Sequence, residues 1–299
     1  MPSPTPSDEP PIVLVTGGSS GLGRATARKF AVRGARLVLV ARGRAALEET
    51  AIELRAAGAR EVVVCPADVT DEAALRSVVE GAVSRFGRLD VVVHSAQVMA
   101  YGRVEDVPAE VFDTVVRTAT EGTANLARSV LPVFRRQGGG HLIVVSSLLA
   151  SVTAPLMGSY VTAKWAQLGL IRVLQQETRD VPGIHISAVA PGGVSTPIYS
   201  QGATYVGSTG RPPVPVYSAE RVARAVVARL DRPRRLVQAG IANPLVIAGF
   251  RLLPGVYDVL VGPLLRTFAI ADDDVPPTTG NVLHSRPEGN ATNGKWHGV

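Results

Sequence analysis

Short apolar runs alternate along this chain with longer segments whose apolar residues return at helical spacing. Six runs read as strands, at 12–16, 36–40, 61–65, 90–94, 141–146 and 184–190. A run such as Leu37-Val38-Leu39-Val40 has no polar alternation, which predicts burial on both faces. Each of the first five is followed by a helical pattern, at 21–33, 44–57, 71–86, 109–136 and 157–178. This alternation predicts an α/β fold, a doubly wound parallel sheet in three α/β/α layers with right-handed crossovers. Ligands of such sheets bind beyond the carboxyl ends of the strands, so the residues just after each strand matter most.

The pattern loosens after residue 190. Residues 192–217 are rich in Gly, Pro, Ser and Thr and read as a long lid or binding loop. A helix at 219–230 and a strand at 235–238 follow. Residues 236–270 form an apolar extension interrupted by Pro244, Pro254 and Pro263. It reads as core, dimer contact or a cover for a substrate pocket. The alternative is a membrane-surface segment flanked by Arg232, Arg234, Arg235, Arg251 and Arg266. The prolines and Arg251 argue against a spanning helix. Residues 1–11 are proline-rich and lack the pattern of a signal peptide, so a disordered tail is expected there. Residues 271–299 are polar and read as an extended or mobile tail. One domain over 12–270 accounts for the rest.

Composition narrows the function classes. With 46% hydrophobic and 19% charged residues in 299, a large core is available. The lone Cys65 excludes a disulfide framework and a Cys-rich zinc site, and points to the reducing cytoplasm. No histidine pair has metal-ligand spacing, so no metal is expected. The formal charge is +6, but the arginines are dispersed and no reading motif accompanies them, which argues against nucleic acid. One or two arginines held for a phosphorylated ligand fit better.

The first strand runs into Thr16-Gly17-Gly18-Ser19-Ser20-Gly21-Leu22-Gly23, where a helix opens. Glycines permit a tight turn and close backbone approach, and the helix start offers free N–H groups to a pyrophosphate. The second strand ends at Ala41-Arg42, where an acidic residue would favour NAD. Arg42 instead suits a 2′-phosphate, with Arg24 or Arg44 as helpers, so NADP(H) is preferred over NAD(H). The plainer alternative is a surface arginine. Asp68, followed by Val69, is placed either to meet an adenine amino group or to cap a turn.

Chemistry-bearing residues follow the fifth strand. Ser147 closes it, and Tyr160 and Lys164 sit four apart on one predicted helical face. A phenol has a reference pKa near 10, and a neighbouring ammonium lowers it, so Tyr160 can serve as general acid or base at a carbonyl or alcohol. Ser147 is placed for the same substrate oxygen.

The 16–23 turn, Asp68, Ser147, the Tyr160/Lys164 pair and Pro191-Gly192-Gly193-Val194-Ser195-Thr196 together resemble the short-chain dehydrogenase/reductase family over about residues 12–235. The resemblance implies a Rossmann-type domain, hydride transfer with a nicotinamide cofactor, and a homodimer or homotetramer built on two long helices. It also implies that Lys164 holds the nicotinamide ribose. Pro191, Gly192, Val194 and Thr196 would flank the nicotinamide, and Ser95 and Ala96 would face the cofactor. Three features depart from the pattern, one of them the apolar continuation through 236–268 in place of a short glycine-rich ending. His94-Ser95-Ala96-Gln97 replaces Asn-Asn-Ala-Gly, so Gln97 either crowds the cofactor or enters the substrate pocket. The family's catalytic Asn falls at Ala119, with Thr118 or Thr120 as the nearest substitutes. The expected activity is NADP(H)-dependent reduction of a bulky, apolar ketone, or oxidation of the alcohol. The alternatives are a cofactor-binding regulatory protein with little catalysis and a peripheral membrane protein.

Overall fold

A computed structural model describes residues 9–296. Most of residues 1–11 and His297 therefore lie outside the described residues. The alternating patterns become β1 (Ile12–Thr16), α1 (Gly21–Ala31), β2 (Arg36–Ala41), α2 (Arg44–Ala56), β3 (Glu61–Pro66), α3 (Glu72–Phe86) and β4 (Val91–His94). After a short β5 (Ala100–Tyr101) come α4 (Ala109–Gln137), β6 (Gly140–Val145), α5 (Gly158–Glu177) and β7 (Ile184–Pro191). The boundaries differ from the sequence reading by one or two residues.

The strands pair in parallel in the order β11-β7-β6-β4-β1-β2-β3, where β11 is Leu236–Ala239. Strand order reverses between β1 and β4, which opens a crevice at their carboxyl ends. Two apolar clusters cover the faces. One joins α3, α4 and α5 to the sheet through Leu75, Leu126 and Ile171, and the other joins α1 and α2 through Phe30 and Leu47. Burial on both faces explains the unalternated valines and leucines of β1, β2 and β4.

The loop at 192–217 carries local structure of its own: β8 (Gly193–Ser195), α6 (Ile198–Gln201), β9 (Ala203–Thr204) and β10 (Val216–Ser218), which pairs with β8. After α7 (Ala219–Asp231) and β11, the apolar extension folds into α8 (Asn243–Leu252) and α9 (Pro254–Ala269). Pro244 falls at the start of α8 and Pro254 at the start of α9, where a missing N–H costs nothing; Pro263 lies inside α9. The prolines thus divide the segment into two helices. Among the described residues, no helix is long and apolar enough to cross a membrane.

Candidate active site

The 16–23 turn is shaped by two close approaches. Gly17 has φ +67, and a Cβ there would meet Ala96 N at 2.8 Å; a Cβ on Gly23 would lie 2.1 Å from Gly17 O. Only glycine fits either position. Thr16, fully buried, pins the end of β1 to β4: its Oγ1 lies 2.8 Å from His94 Nδ1 and accepts from Ser95 N at 3.3 Å. His94 is therefore a structural partner, and burial followed by the nearby Lys164 charge pushes its pKa down to about 3.

A cavity of about 850 Å³ extends from this turn. Its wall includes Gly17, Ser19, Ser20, Gly21 and Leu22, then Arg42, Asp68, Val69, Ser95 and Ala96, then Ser147, Tyr160 and Lys164. Pro191, Gly192, Val194 and Thr196 complete that side, while Thr16 and Gly23 stand behind the wall. The far end is apolar, formed by α8 and α9 through residues such as Val246, Leu260 and Leu265. The apolar extension thus lines one end of the cavity. It still leaves Leu245, Leu252, Val256 and Val259 exposed.

Ser147 lies two residues beyond β6 and caps the 3-10 turn Leu148–Ala150, its Oγ accepting from Leu149 N at 3.1 Å. That contact leaves the hydroxyl proton free for another acceptor. Tyr160 and Lys164 share one face of α5, with Lys164 Nζ 5.6 Å from the Tyr160 ring centroid. Burial acts on both groups. Burial pushes Tyr160 up to about 12, opposed only by a Ser147 hydrogen bond, and burial brings Lys164 down to about 7. The reason is geometric. Lys164 is 2% exposed, and its Nζ is turned to Val145 O (3.2 Å) and Gln167 Oε1 (3.0 Å), neutral acceptors that do not offset the loss of water around the charge. At neutral pH the phenol holds its proton.

Other candidates sort out as follows. Asp68 Oδ1 accepts from Thr70 N (2.8 Å) and Thr70 Oγ1 (2.7 Å), so it caps the turn while its residue lines the cavity. Gln97 donates to Val98 O at 2.9 Å, and its Oε1 is buried without a partner on the cavity side of β4. Arg24 is not a helper for Arg42: it is held by Glu49 (2.9 Å) and Glu53 (2.7 Å). Arg44 pairs with Glu48 at 3.6 Å. Thr118 and Thr120 donate their hydroxyls to Thr114 O and Val116 O within α4, and Thr118 also lines the cavity. Trp165 packs edge-on against Phe250 of α8, with its Nε1 donating to Val152 O.

Sequence reasoning missed two groups. Gln167 sits behind Lys164, fully buried; a polar residue three positions after the lysine on an otherwise apolar face was the available signal. The polar tail was expected to be extended or mobile. Residues 281–296 are irregular, yet they run along the cleft. Arg42 donates to Val282 O at 2.9 Å and also to Asn281 O; Gly21 N donates to Ala291 O at 2.8 Å; Ser195 Oγ donates to Trp296 O at 2.5 Å. Val282 is fully buried among Val98, Val115 and Ala119. Nothing in the tail's composition signals this docking.

The turn, the helix start and Arg42 fit a dinucleotide, since the glycine positions form a cradle that any Cβ would fill. Comparisons agree on the kind of protein. A family profile described as short chain dehydrogenase matches residues 11–204. The 11-beta-hydroxysteroid dehydrogenase 1A of Arabidopsis thaliana is 33% identical over 239 residues, 76% of this chain and 67% of its own. Among solved structures, an alcohol dehydrogenase from the archaeon Thermococcus sibiricus complexed with 5-hydroxy-NADP is 28% identical, with a TM-score of 0.67 over 78% of this chain and 96% of its own. A short chain dehydrogenase/reductase from Burkholderia phymatum in complex with NAD is 25% identical, with a TM-score of 0.72 over 85% of this chain and 96% of its own.

Proposed function

Because this chain belongs to the short-chain dehydrogenase/reductase family of oxidoreductases, we propose that it reduces a bulky, apolar ketone with NADPH, or oxidises the corresponding secondary alcohol with NADP⁺. One juxtaposition carries the reading: Ser147, Tyr160 and Lys164 stand together on the wall of a cavity that joins a glycine-rich turn to an apolar end. The turn at 17–22 and the start of α1 would hold the pyrophosphate, Arg42 the 2′-phosphate, and Lys164 the nicotinamide ribose. When bound, the reduced nicotinamide supplies a hydride to the carbonyl carbon. Ser147 Oγ–H orients the carbonyl oxygen by hydrogen bonding. Tyr160, protonated at neutral pH, passes its phenolic proton to that oxygen as the C=O bond becomes C–OH. Lys164, in its protonated form, stabilises the phenolate left behind, and the buried Leu265 and Ala269 exclude water from the substrate side.

The preference for NADP(H) rests on Arg42 with no acidic residue beside it at the end of β2. A bulky apolar substrate is supported by the cover formed by α8 and α9, and by a relative named for hydroxysteroids. Assembly as a homodimer or homotetramer through α4 and α5 belongs to the same proposal, supported by the exposed Val173 on the outer face of α5. The unpaired Cys65 supports a cytoplasmic location. A second reading of the exposed apolar residues of α8 and α9, with Arg251 and Arg266 among them, is docking on an anionic membrane surface. Co-sedimentation with anionic but not neutral liposomes checks it.

The catalytic test is oxidation of NADPH with a panel of ketones. Tyr160→Phe is expected to lower kcat by about 10²–10⁴-fold. Unchanged turnover would overturn the assignment, and tight NADPH binding with no turnover on any ketone would favour the regulatory alternative.

A further inference from the structure

The Lys164 ammonium is buried against neutral groups alone. Two acceptors face it, Val145 O at 3.2 Å and Gln167 Oε1 at 3.0 Å. Gln167 is 1% exposed, and its other end is also committed: Nε2 donates to Thr123 Oγ1 at 2.9 Å and to Ala119 O at 3.4 Å. Thr123 Oγ1 in turn donates to Ala119 O at 2.6 Å. The amide orientation follows from chemistry. An ammonium has only protons to give and a carbonyl has none, so Oε1 must face Lys164 and Nε2 must face α4. Ala119 itself has no polar side chain. A direct side-chain bridge therefore runs from α4 to the ammonium.

We propose that Gln167 is a positioning residue for proton transfer, fixing the Lys164 ammonium between α4 and β6 so that it faces Tyr160. This rests on the reading of Tyr160 and Lys164 as the proton-transfer pair. The titratable groups facing Nζ are Tyr160 on the same helix and His94 on β4. His94 is held neutral by burial, so neither it nor the protonated phenol supplies a counter-charge, and the ammonium depends on its dipolar acceptors.

The chain contains three lysines, Lys29, Lys164 and Lys295, so lysine labelled with ¹³C at Cε yields three assignable signals. In Gln167→Leu the Lys164 midpoint is expected to fall by about one to two pH units, as one hydrogen bond to a charged group is lost. Gln167→Glu, which keeps an acceptor and adds a charge, is expected to raise it above the parent value. A residue that only fills space would destabilise both variants without opposite shifts. Gln167→Leu should also lower kcat by about tenfold while the cofactor KM stays within about threefold. An unmoved Lys164 midpoint in Gln167→Leu overturns the proposal. A parent protein that turns over no ketone defeats the functional reading instead, and the titration still decides whether Gln167 positions Lys164.

A separate observation concerns the tail. Its carbonyl oxygens occupy the donors best suited to phosphate: Asn281 and Val282 take the Arg42 guanidinium, and Ala291 takes Gly21 N and Ser20 Oγ. Beyond the cleft the tail is fastened by Asn293, whose side chain bonds Glu220 and Ala219 N, and by Trp296, edge-on to Tyr199 at 5.7 Å. We infer that residues 281–296 are an intramolecular strap that competes with the dinucleotide for Arg42 and for the start of α1, which rests on the dinucleotide reading of that cleft. Burial of Arg42 lowers its pKa and is opposed only by Asp68, so the carbonyls hold the guanidinium without neutralising it. A phosphate dianion is the stronger partner.

Hydrogen exchange on the full chain tests this. NADPH is expected to speed exchange across 285–296 as the strap leaves, and Asn293→Ala/Trp296→Ala is expected to bind NADPH about three- to tenfold more tightly. Slower exchange on binding, or equal or weaker affinity in the variant, overturns the strap while leaving the cofactor reading standing. A variant and parent that both bind no nicotinamide nucleotide defeat both.

Discussion

Arg42 separates two cofactors that differ by one phosphate. Its guanidinium already bonds two carbonyl oxygens, so its geometry is set for oxygen acceptors on the cleft side. Replacing it with alanine removes a charge-assisted contact available only to the phosphorylated ribose. Arg42→Ala is expected to weaken NADPH by about 10–100-fold and NADH by less than about threefold in parallel titrations. Equal weakening of both would refute the role. Lys164 carries a second residue-scale consequence. Folded, it titrates near 7; unfolded, at its ordinary 10.5. Between those values the unfolded chain holds a proton that the folded chain has released, so this group makes stability rise with pH. The slope approaches about 1.4 kcal/mol per pH unit. Urea midpoints between pH 7 and 9 should show a slope in the parent that is lost in Lys164→Met. Tyr160 acts in the opposite sense only above pH 10, outside that window.

At the scale of elements, the starts of helices do different jobs. The first turn of α3 is closed locally, with Asp71 accepting from Ala74 N at 2.9 Å. Asp71→Ala is expected to cost about 1 kcal/mol in urea unfolding and leave NADPH binding unchanged. Ser20, at the same position on α1, makes no such cap; its hydroxyl is turned to the tail. α2, α4 and α5 likewise start without a side-chain cap, so what sets α1 apart is the glycine turn that leads into it and the tail carbonyl that meets Gly21 N. Gly23→Ala must displace the Gly17 carbonyl, so it is expected to abolish nucleotide binding. Wild-type affinity in that variant would refute the cradle.

For the whole molecule, the cavity ties reaction to substrate through α8 and α9, which follow the last strand. Leu265 is almost buried where α9 meets the pocket. Leu265→Trp fills that end, and kcat/KM for bulky ketones should fall at least about tenfold relative to small ones. An unchanged ratio would place the substrate elsewhere. The same scale explains where sequence reading succeeded. The strands and long helices were legible because their burial pattern is local: a run such as 37–40 tells of two covered faces wherever it sits. Tyr160 and Lys164 were legible because their spacing on α5 fixes a shared face, and Ser147 because it follows the end of β6.

Sequence alone determined the strand–helix alternation, the glycine turn, and the serine, tyrosine and lysine on adjoining segments, since each depends on neighbours within a few residues. Only the tertiary structure decided the protonation states, because desolvation depends on what packs around a group. The bridge from Gln167 to α4, the folding of the apolar extension over the cavity and the tail's path along the cleft were decided there too. These contacts join segments from 44 to 271 positions apart, and no local periodicity records them.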